Sequence, residues 1–203
     1  MKILVATEKP FAKTAVEGIR SIIEKAGYEL ALLEKYTDVG ELYKVVADAD
    51  ALIVRSDKVT KEVVDAAKKL KIVVRAGAGF DNLDLAACSA RNIVAMNTPG
   101  QNSNAVAELA IGLMIYMSRN SFNPGTGSEL KGKKLGIHAY GNVGKLAAKI
   151  AKGFGMEVYA YDPYVSAETM KAEGIIPVNT TEELYATCHF VSLHIPANEQ
   201  TKK

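Results

Sequence analysis

Short apolar runs alternate with amphipathic stretches along the whole chain. "KILVAT" precedes a helical pattern over 11–26, "YELALL" one over 39–48, "ALIVRS" one over 60–69 and "KIVVRAG" one over 84–91, and "NIVAMNTPG" closes the series. The apolar runs are largely uninterrupted, as in parallel strands covered on both faces. Repeated βα alternation predicts a parallel sheet with right-handed crossovers. The pattern then changes. Residues 103–119, "SNAVAELAIGLMIYMSR", are apolar nearly all round, which predicts a long helix buried on most sides, between two domains. Pro124, Gly125 and Gly127 break it, and a second βα series runs from "KKLGIHAYG" to "CHFVSLHIP". The domain boundary is expected near Asn97–Gln101.

The second series holds a candidate ligand turn. In "KKLGIHAYGNVG" a strand enters a glycine-containing turn, and the next helix carries Val143, Leu146, Ala147, Ile150, Ala151 and Phe154 at helical spacing. "MEVYAYDPY" follows as a strand ending at Asp162, about 20 residues past the turn, as a dinucleotide-binding fingerprint requires. Gly141 would let backbone approach a pyrophosphate seated over the helix N-terminus, and Gly144 would let helix pack close to strand. Asp162 would accept hydrogen bonds from a ribose diol and repel a 2′-phosphate, which favours NAD over NADP. Ala139 stands where the fingerprint has its first glycine. It fits if its φ is negative.

Composition narrows the class. The 203 residues are 48% apolar and 24% charged, with net charge +2, which suits a soluble globular protein without a nucleic-acid or membrane partner. The two cysteines are far apart and fit no metal spacing; they suggest a reducing, cytoplasmic compartment. The apolar run in "MKILVATEKP" is too short for a secretory signal and reads as a strand.

Arg55 and Arg75 close two successive strands of the first series. Ligands of open parallel sheets bind beyond the carboxyl ends of strands, where two guanidinium groups could clamp a doubly anionic substrate. Pairing with Asp57 or Asp81 is the competing reading. The amides of "RAGAGFDN" could hold a carboxylate, or form a simple turn. Asn102 reads as a helix cap or as a ligand-facing amide, the cap being favoured. His138 is expected in the core, His189 in a solvated loop, and His194 at the end of a strand facing the cofactor, with no carboxylate placed to orient it as a base.

The stretches "VRSDKVT", "VRAGAGFDNLDLAA", "MNTPGQNSNAVAELAIGLM", "ELKGKKLGI", "YGNVG", "GFGMEVYAYDPY" and "VSLHIP" resemble, in order, the D-isomer-specific 2-hydroxyacid dehydrogenases. The resemblance implies an α/β protein: a flavodoxin-like parallel-sheet substrate domain over 1–97, then a partial Rossmann NAD-binding domain over 98–203. It implies NAD-linked oxidation of a 2-hydroxy acid. Arg55, Arg75, Gly77 and Asn102 match substrate-side positions, the two arginines in members whose substrate is phosphorylated. Asn142, Val143, Asp162, Ile195 and Pro196 match NAD contacts. Tyr140, Gly141, Gly144 and His194 fall beside them in the same motifs, and Ala78 stands where relatives often place a threonine near the nicotinamide. The family's catalytic Arg, Glu and His follow "LHIP", so they are expected beyond Lys203 rather than in this chain. A homodimer is the expected assembly. A non-catalytic NAD-sensing module of the same fold is the alternative.

Overall fold

The computed structural model describes residues 1–196 and Thr201. The chain divides into two compact units, Met1–Pro99 and Gly100–Lys203.

The first unit contains β1 (Lys2–Thr7), α1 (Lys13–Lys25), β2 (Glu29–Glu34), α2 (Val39–Val46), β3 (Ala51–Val54), α3 (Lys61–Ala66), β4 (Ile72–Arg75), α4 (Leu85–Ala90) and β5 (Val94–Met96). The strands form one parallel sheet in the order β2-β1-β3-β4-β5. This is the flavodoxin-like order, with its topological switch point between β1 and β3. Leu4, Leu52, Val54 and Val73 of the strands are buried against Leu42, Val46, Val63 and Val64 of the helices. The helix starts are set locally. Asp38 accepts from Gly40 N–H and Asp84 from Ala87 N–H, each at 2.8 Å.

The second unit contains α5 (Ser103–Ser118), a 3₁₀ turn (Asn120–Phe122), β6 (Lys134–His138), α6 (Asn142–Gly153), β7 (Glu157–Tyr161), α7 (Ala167–Ala172), β8 (Ile176–Pro177), α8 (Thr181–Thr187) and β9 (Phe190–Leu193). Its parallel strands run β8-β7-β6-β9. That is the 3-2-1-4 arrangement of a dinucleotide-binding sheet, with the switch point between β6 and β9. The β6–β7 pair is packed by α6 through Ala147, Ala148 and Ala151, and by Ala107, Ile111 and Met114 of α5.

Two expectations are corrected here. Only Ser103, Ala107, Ile111 and Met114 of α5 are buried, one narrow stripe; Leu109 is 64% exposed and Met117 68%. An apolar surface all round therefore does not mean burial all round. Phe154 lies past the end of α6 and is exposed, so it does not extend the packing face of that helix.

Candidate functional site

In the first unit the candidate residues gather at the carboxyl ends of β3 and β4. Arg55 follows β3 directly, and Arg75 is the last residue of β4. Arg75 Nε donates to the Arg55 carbonyl at 2.9 Å, so one arginine holds the backbone of the other. Neither guanidinium has a carboxylate partner among the described residues. The competing pairing with Asp57 fails for a clear reason. Asp57 is turned inward, 5% exposed, and its Oδ1 accepts from Glu8 N–H at 2.7 Å and from Tyr36 Oη at 2.8 Å. The arginines thus keep their charge available for an external anion.

The following loop is partly available. Gly77 N–H donates to the Arg75 carbonyl and Gly77 O accepts from Thr98 N–H, each at 2.9 Å. The Gly77 amide is therefore not a free donor. The N–H groups of Ala78 and Gly79 have no acceptor among the described residues, and the Ala78 carbonyl accepts from Asn97 Nδ2 at 2.7 Å. A Cβ on Gly77 would collide with the Arg75 guanidinium. A side chain at Gly77 would require the Arg75 arm to move from its present position.

In the second unit Asn102 occupies the cap position of α5 but makes no side-chain cap hydrogen bond. The cap expectation is corrected, and its exposed amide has no hydrogen-bond partner among the described residues.

The glycine turn lies at the β6/β9 switch point. Ala139 has φ +80°, in the left-handed region, so the condition under which a methyl fits without strain is not met. The cause is the sharp exit from β6. The Ala139 N–H stays paired to Tyr161 O at 2.9 Å while the chain reverses into α6. Gly141 precedes α6 with φ −83° and needs no glycine for its dihedral angles. A Cβ there would meet nothing within 4 Å, so Gly141 leaves an open space beside the helix start. A Cβ on Gly144 would strike the Ala139 carbonyl, and would lie 2.9 Å from Ile137 Cγ2. Gly144 is thus required for helix-to-strand packing. No side chain caps α6, so the first-turn N–H groups, at Asn142, Val143 and Gly144, are open to an anion.

Asp162, at the end of β7, accepts from Tyr140 N–H with Oδ2 and from Tyr164 N–H with Oδ1, each at 2.8 Å. Each carboxylate oxygen can accept two hydrogen bonds, so both retain capacity toward a ligand.

A cavity of about 730 Å³ opens beside this turn, in the size range of small-molecule sites. Gly141, Asp162, His194, Ile195 and Pro196, all read from the sequence as cofactor-side positions, line it. So do Tyr161, Tyr164 and Tyr185, which sequence reading did not single out. Tyr164 was two positions from Asp162, but nothing local signals Tyr185, which α8 contributes.

His138 is not a core residue. It stands in the cavity wall with Nδ1 2.7 Å from Tyr185 Oη and its ring edge-on to Tyr161. His189 is also more than a solvated loop residue, since its Nδ1 accepts from Lys134 N–H at 3.0 Å. His194 Nε2 lies 3.0 Å from Ser192 Oγ, and burial pushes its pKa below the usual histidine range. No carboxylate orients it among the described residues. Tyr140 departs from expectation. Its side chain is buried away from this cavity and donates to Glu173 Oε2 at 2.8 Å, leaving only its backbone near Asp162.

No group of metal-ligating side chains occurs among the described residues. No helix of the described residues is long and apolar enough to cross a membrane.

Comparison with known proteins agrees with this geometry. Residues 9–194 match the family model described as the D-isomer specific 2-hydroxyacid dehydrogenase, catalytic domain. A D-3-phosphoglycerate dehydrogenase of Methanocaldococcus jannaschii is 39% identical over 176 residues, covering 80% of this chain and 34% of that protein. A hydroxypyruvate reductase of Thermotoga maritima is 38% identical over 190 residues, covering 86% and 60%. The NAD+-bound 3-phosphoglycerate dehydrogenase of Entamoeba histolytica superposes with a TM-score of 0.91 at 50% identity, over 100% of this chain and 65% of that one. The chain spans about a third of the length of the curated phosphoglycerate dehydrogenases it matches. Two parallel α/β units, an open helix start beside an acid-terminated strand, and a family match over nearly the whole chain agree with one another: the chain belongs to the D-isomer specific 2-hydroxyacid dehydrogenase family.

Proposed function

We propose that this chain forms the substrate- and cofactor-binding part of an NAD-dependent dehydrogenase that oxidises 3-phosphoglycerate to 3-phosphohydroxypyruvate, the reaction that begins serine synthesis. The observation that carries the substrate assignment is the pair of guanidinium groups at Arg55 and Arg75, free of carboxylate partners at the carboxyl edge of the first sheet. A phosphate monoester carries close to two negative charges near neutral pH and offers oxygens that match forked donors. The relatives named above as phosphoglycerate dehydrogenases support the same reading.

The second unit is assigned to the dinucleotide. The open amides at Asn142, Val143 and Gly144 and the space at Gly141 fit a pyrophosphate. Asp162 suits a ribose diol and disfavours a 2′-phosphate. When bound, the nicotinamide exchanges a hydride with the substrate carbon that bears the hydroxyl. The residues of this chain bind and orient. Arg55 and Arg75 hold the phosphate, the free amides of Ala78 and Gly79 offer donors to an anionic group, and His194 stays neutral in the cavity wall. Domain roles of 1–97 for substrate and 98–203 for NAD, a cytoplasmic location and a homodimer complete the proposal.

The test is a set of initial rates of NADH formation by the full protein carrying these residues, with D-3-phosphoglycerate and with unphosphorylated D-glycerate. Arg55→Ala or Arg75→Ala should raise KM for 3-phosphoglycerate at least tenfold, since a hydrogen bond to a charged group contributes about 1.5–3 kcal/mol. KM for NAD should stay near that of the parent. Equal kcat/KM for glycerate and 3-phosphoglycerate in the parent would point to another 2-hydroxy acid. NAD binding without turnover of any 2-hydroxy acid would point to a sensing module.

A further inference from the structure

A clamp for phosphate works only if its guanidinium groups are left unpaired and held in place. Arg55 is exposed at the start of the turn 55–59, where a neighbouring carboxylate would ordinarily take it as an ion-pair partner. Asp57 does not. Its side chain points into the β1/β3 switch point, the crevice where open sheets of this order receive ligands.

Three strand ends meet at this one carboxylate. Glu8 follows β1, Tyr36 lies two residues past β2, and Asp57 lies three past β3. Oδ1 of Asp57 takes donors from the other two, at 2.7 and 2.8 Å. Burial and the charge of Asp57 both raise the pKa of Tyr36, so the phenol remains a donor. The Asp57 carbonyl accepts from Asn82 Nδ2 at 2.7 Å. Val59 N–H donates to Asn82 O at 2.8 Å, and Asp84 N–H to Val59 O at 2.9 Å. On the other side the Arg55 carbonyl is held by Arg75 Nε. The turn is fixed at both ends, and the Arg55 guanidinium is the part left without a partner among the described residues.

We propose that Asp57 is a positioning residue of the phosphate clamp: by tying the turn 55–59 to the ends of β1 and β2, it sets where the Arg55 guanidinium stands. This rests on the reading that Arg55 receives the substrate's phosphate. Asp57 touches no substrate and acts through Arg55 alone. Tyr36 and Asn82 are its supports.

Asp57→Asn is a poor test, because it brings a new amide donor to a place where Asp57 Oδ2 and Asn82 Oδ1 are both buried without partners among the described residues. Tyr36→Phe removes a single donor from Oδ1 and keeps the ring. In the full protein it should raise KM for 3-phosphoglycerate about three- to tenfold, with kcat and KM for NAD within twofold of the parent. In an Arg55→Ala background it should raise KM no further. Asn82→Ala, which releases the Asp57 carbonyl, is the second variant and should behave alike. If Arg55→Ala itself leaves KM unchanged, the clamp reading fails and takes this proposal with it. If Arg55→Ala raises KM but Tyr36→Phe and Asn82→Ala do not, the clamp stands and the positioning role is overturned. A full additional effect in the double variant also overturns it, because the network would then act by a route other than Arg55.

Discussion

The backbone N–H of Tyr140 donates to Asp162 Oδ2 at 2.8 Å, tying the glycine turn to the strand that ends beside it. The two halves of the fingerprint therefore support each other before any ligand arrives. Removing the carboxylate should act twice. Asp162→Ala should weaken NAD by roughly 1–3 kcal/mol, through lost hydrogen bonds to the ribose, and narrow the preference for NAD over NADP. It should also lower Tm, since the N–H groups of Tyr140 and Tyr164 lose their acceptor. Calorimetric titrations with both dinucleotides check the first effect and thermal melts the second. NAD affinity equal to that of the parent would remove Asp162 from the site.

Ala139 offers the opposite case, a substitution expected to help. Its φ of +80° is one that side chains rarely adopt, at a cost of about 1–2 kcal/mol for an L-residue. Glycine removes that strain and returns roughly 0.4–1 kcal/mol of it through the greater freedom of the unfolded chain. Ala139→Gly should therefore stabilise the second unit by about 0.5–1 kcal/mol, read as a rise in Tm or in the urea midpoint. A drop in stability would show that the methyl makes contacts worth more than the strain.

Gly144 and Gly141 should separate packing from binding. Gly144→Ala drives a methyl into the Ala139 carbonyl and Ile137. It should cost about 1–3 kcal/mol of stability, as overpacking does. Gly141→Val has open space around it and should leave the melt and the circular dichroism largely unchanged, while NAD binding is lost. Retained NAD affinity in Gly141→Val would mean that the space beside α6 is not the pyrophosphate path.

How much of this was legible in the sequence depended on range. Period and run length predicted the strands and helices of the first unit, and α5, β6, α6, β7 and β9 of the second, because a strand buried on two faces must be apolar along its whole length; α7, the two-residue β8 and α8 were not singled out. The role of Gly144 was legible too, since a fixed spacing carries it. What escaped depended on the third dimension or on dihedral angles. Nothing in "HAYG" reveals that Ala139 has positive φ. Pairing of Arg55 with Asp57 stood as the competing reading because the two are only two residues apart; the folded chain turns Asp57 toward Tyr36, 21 positions distant. His138 looked like a core residue in an apolar strand, yet it is the last residue of β6, where the sheet opens into the cavity. The largely apolar α5 shows the converse limit: composition predicted the helix but not which side of it would be covered.

His194 makes a prediction about acidity. It follows β9, its N–H donates to His138 O at 2.9 Å, and its Nε2 lies 3.0 Å from Ser192 Oγ. Burial lowers its pKa, so the folded protein binds this proton less tightly than the unfolded chain does. The linkage then has a definite sign. Well above the ordinary histidine value, about 6.5, both states are neutral and the group costs nothing. As pH falls through that value the unfolded chain takes up the proton first, and the folded state loses stability until its own lower pKa is passed. His194→Gln keeps a polar side chain but cannot take up the proton. Between pH 7.5 and 5.5, Tm of the parent should fall more steeply than Tm of His194→Gln, with the two curves closest at the alkaline end. Dinucleotide should steepen the parent's curve if it binds only while His194 is neutral in the cavity wall. Parallel curves in the absence of ligand would show that the ring is protonated as readily in the folded protein as in water, and that the cavity is wetter around His194 than its half-buried position implies.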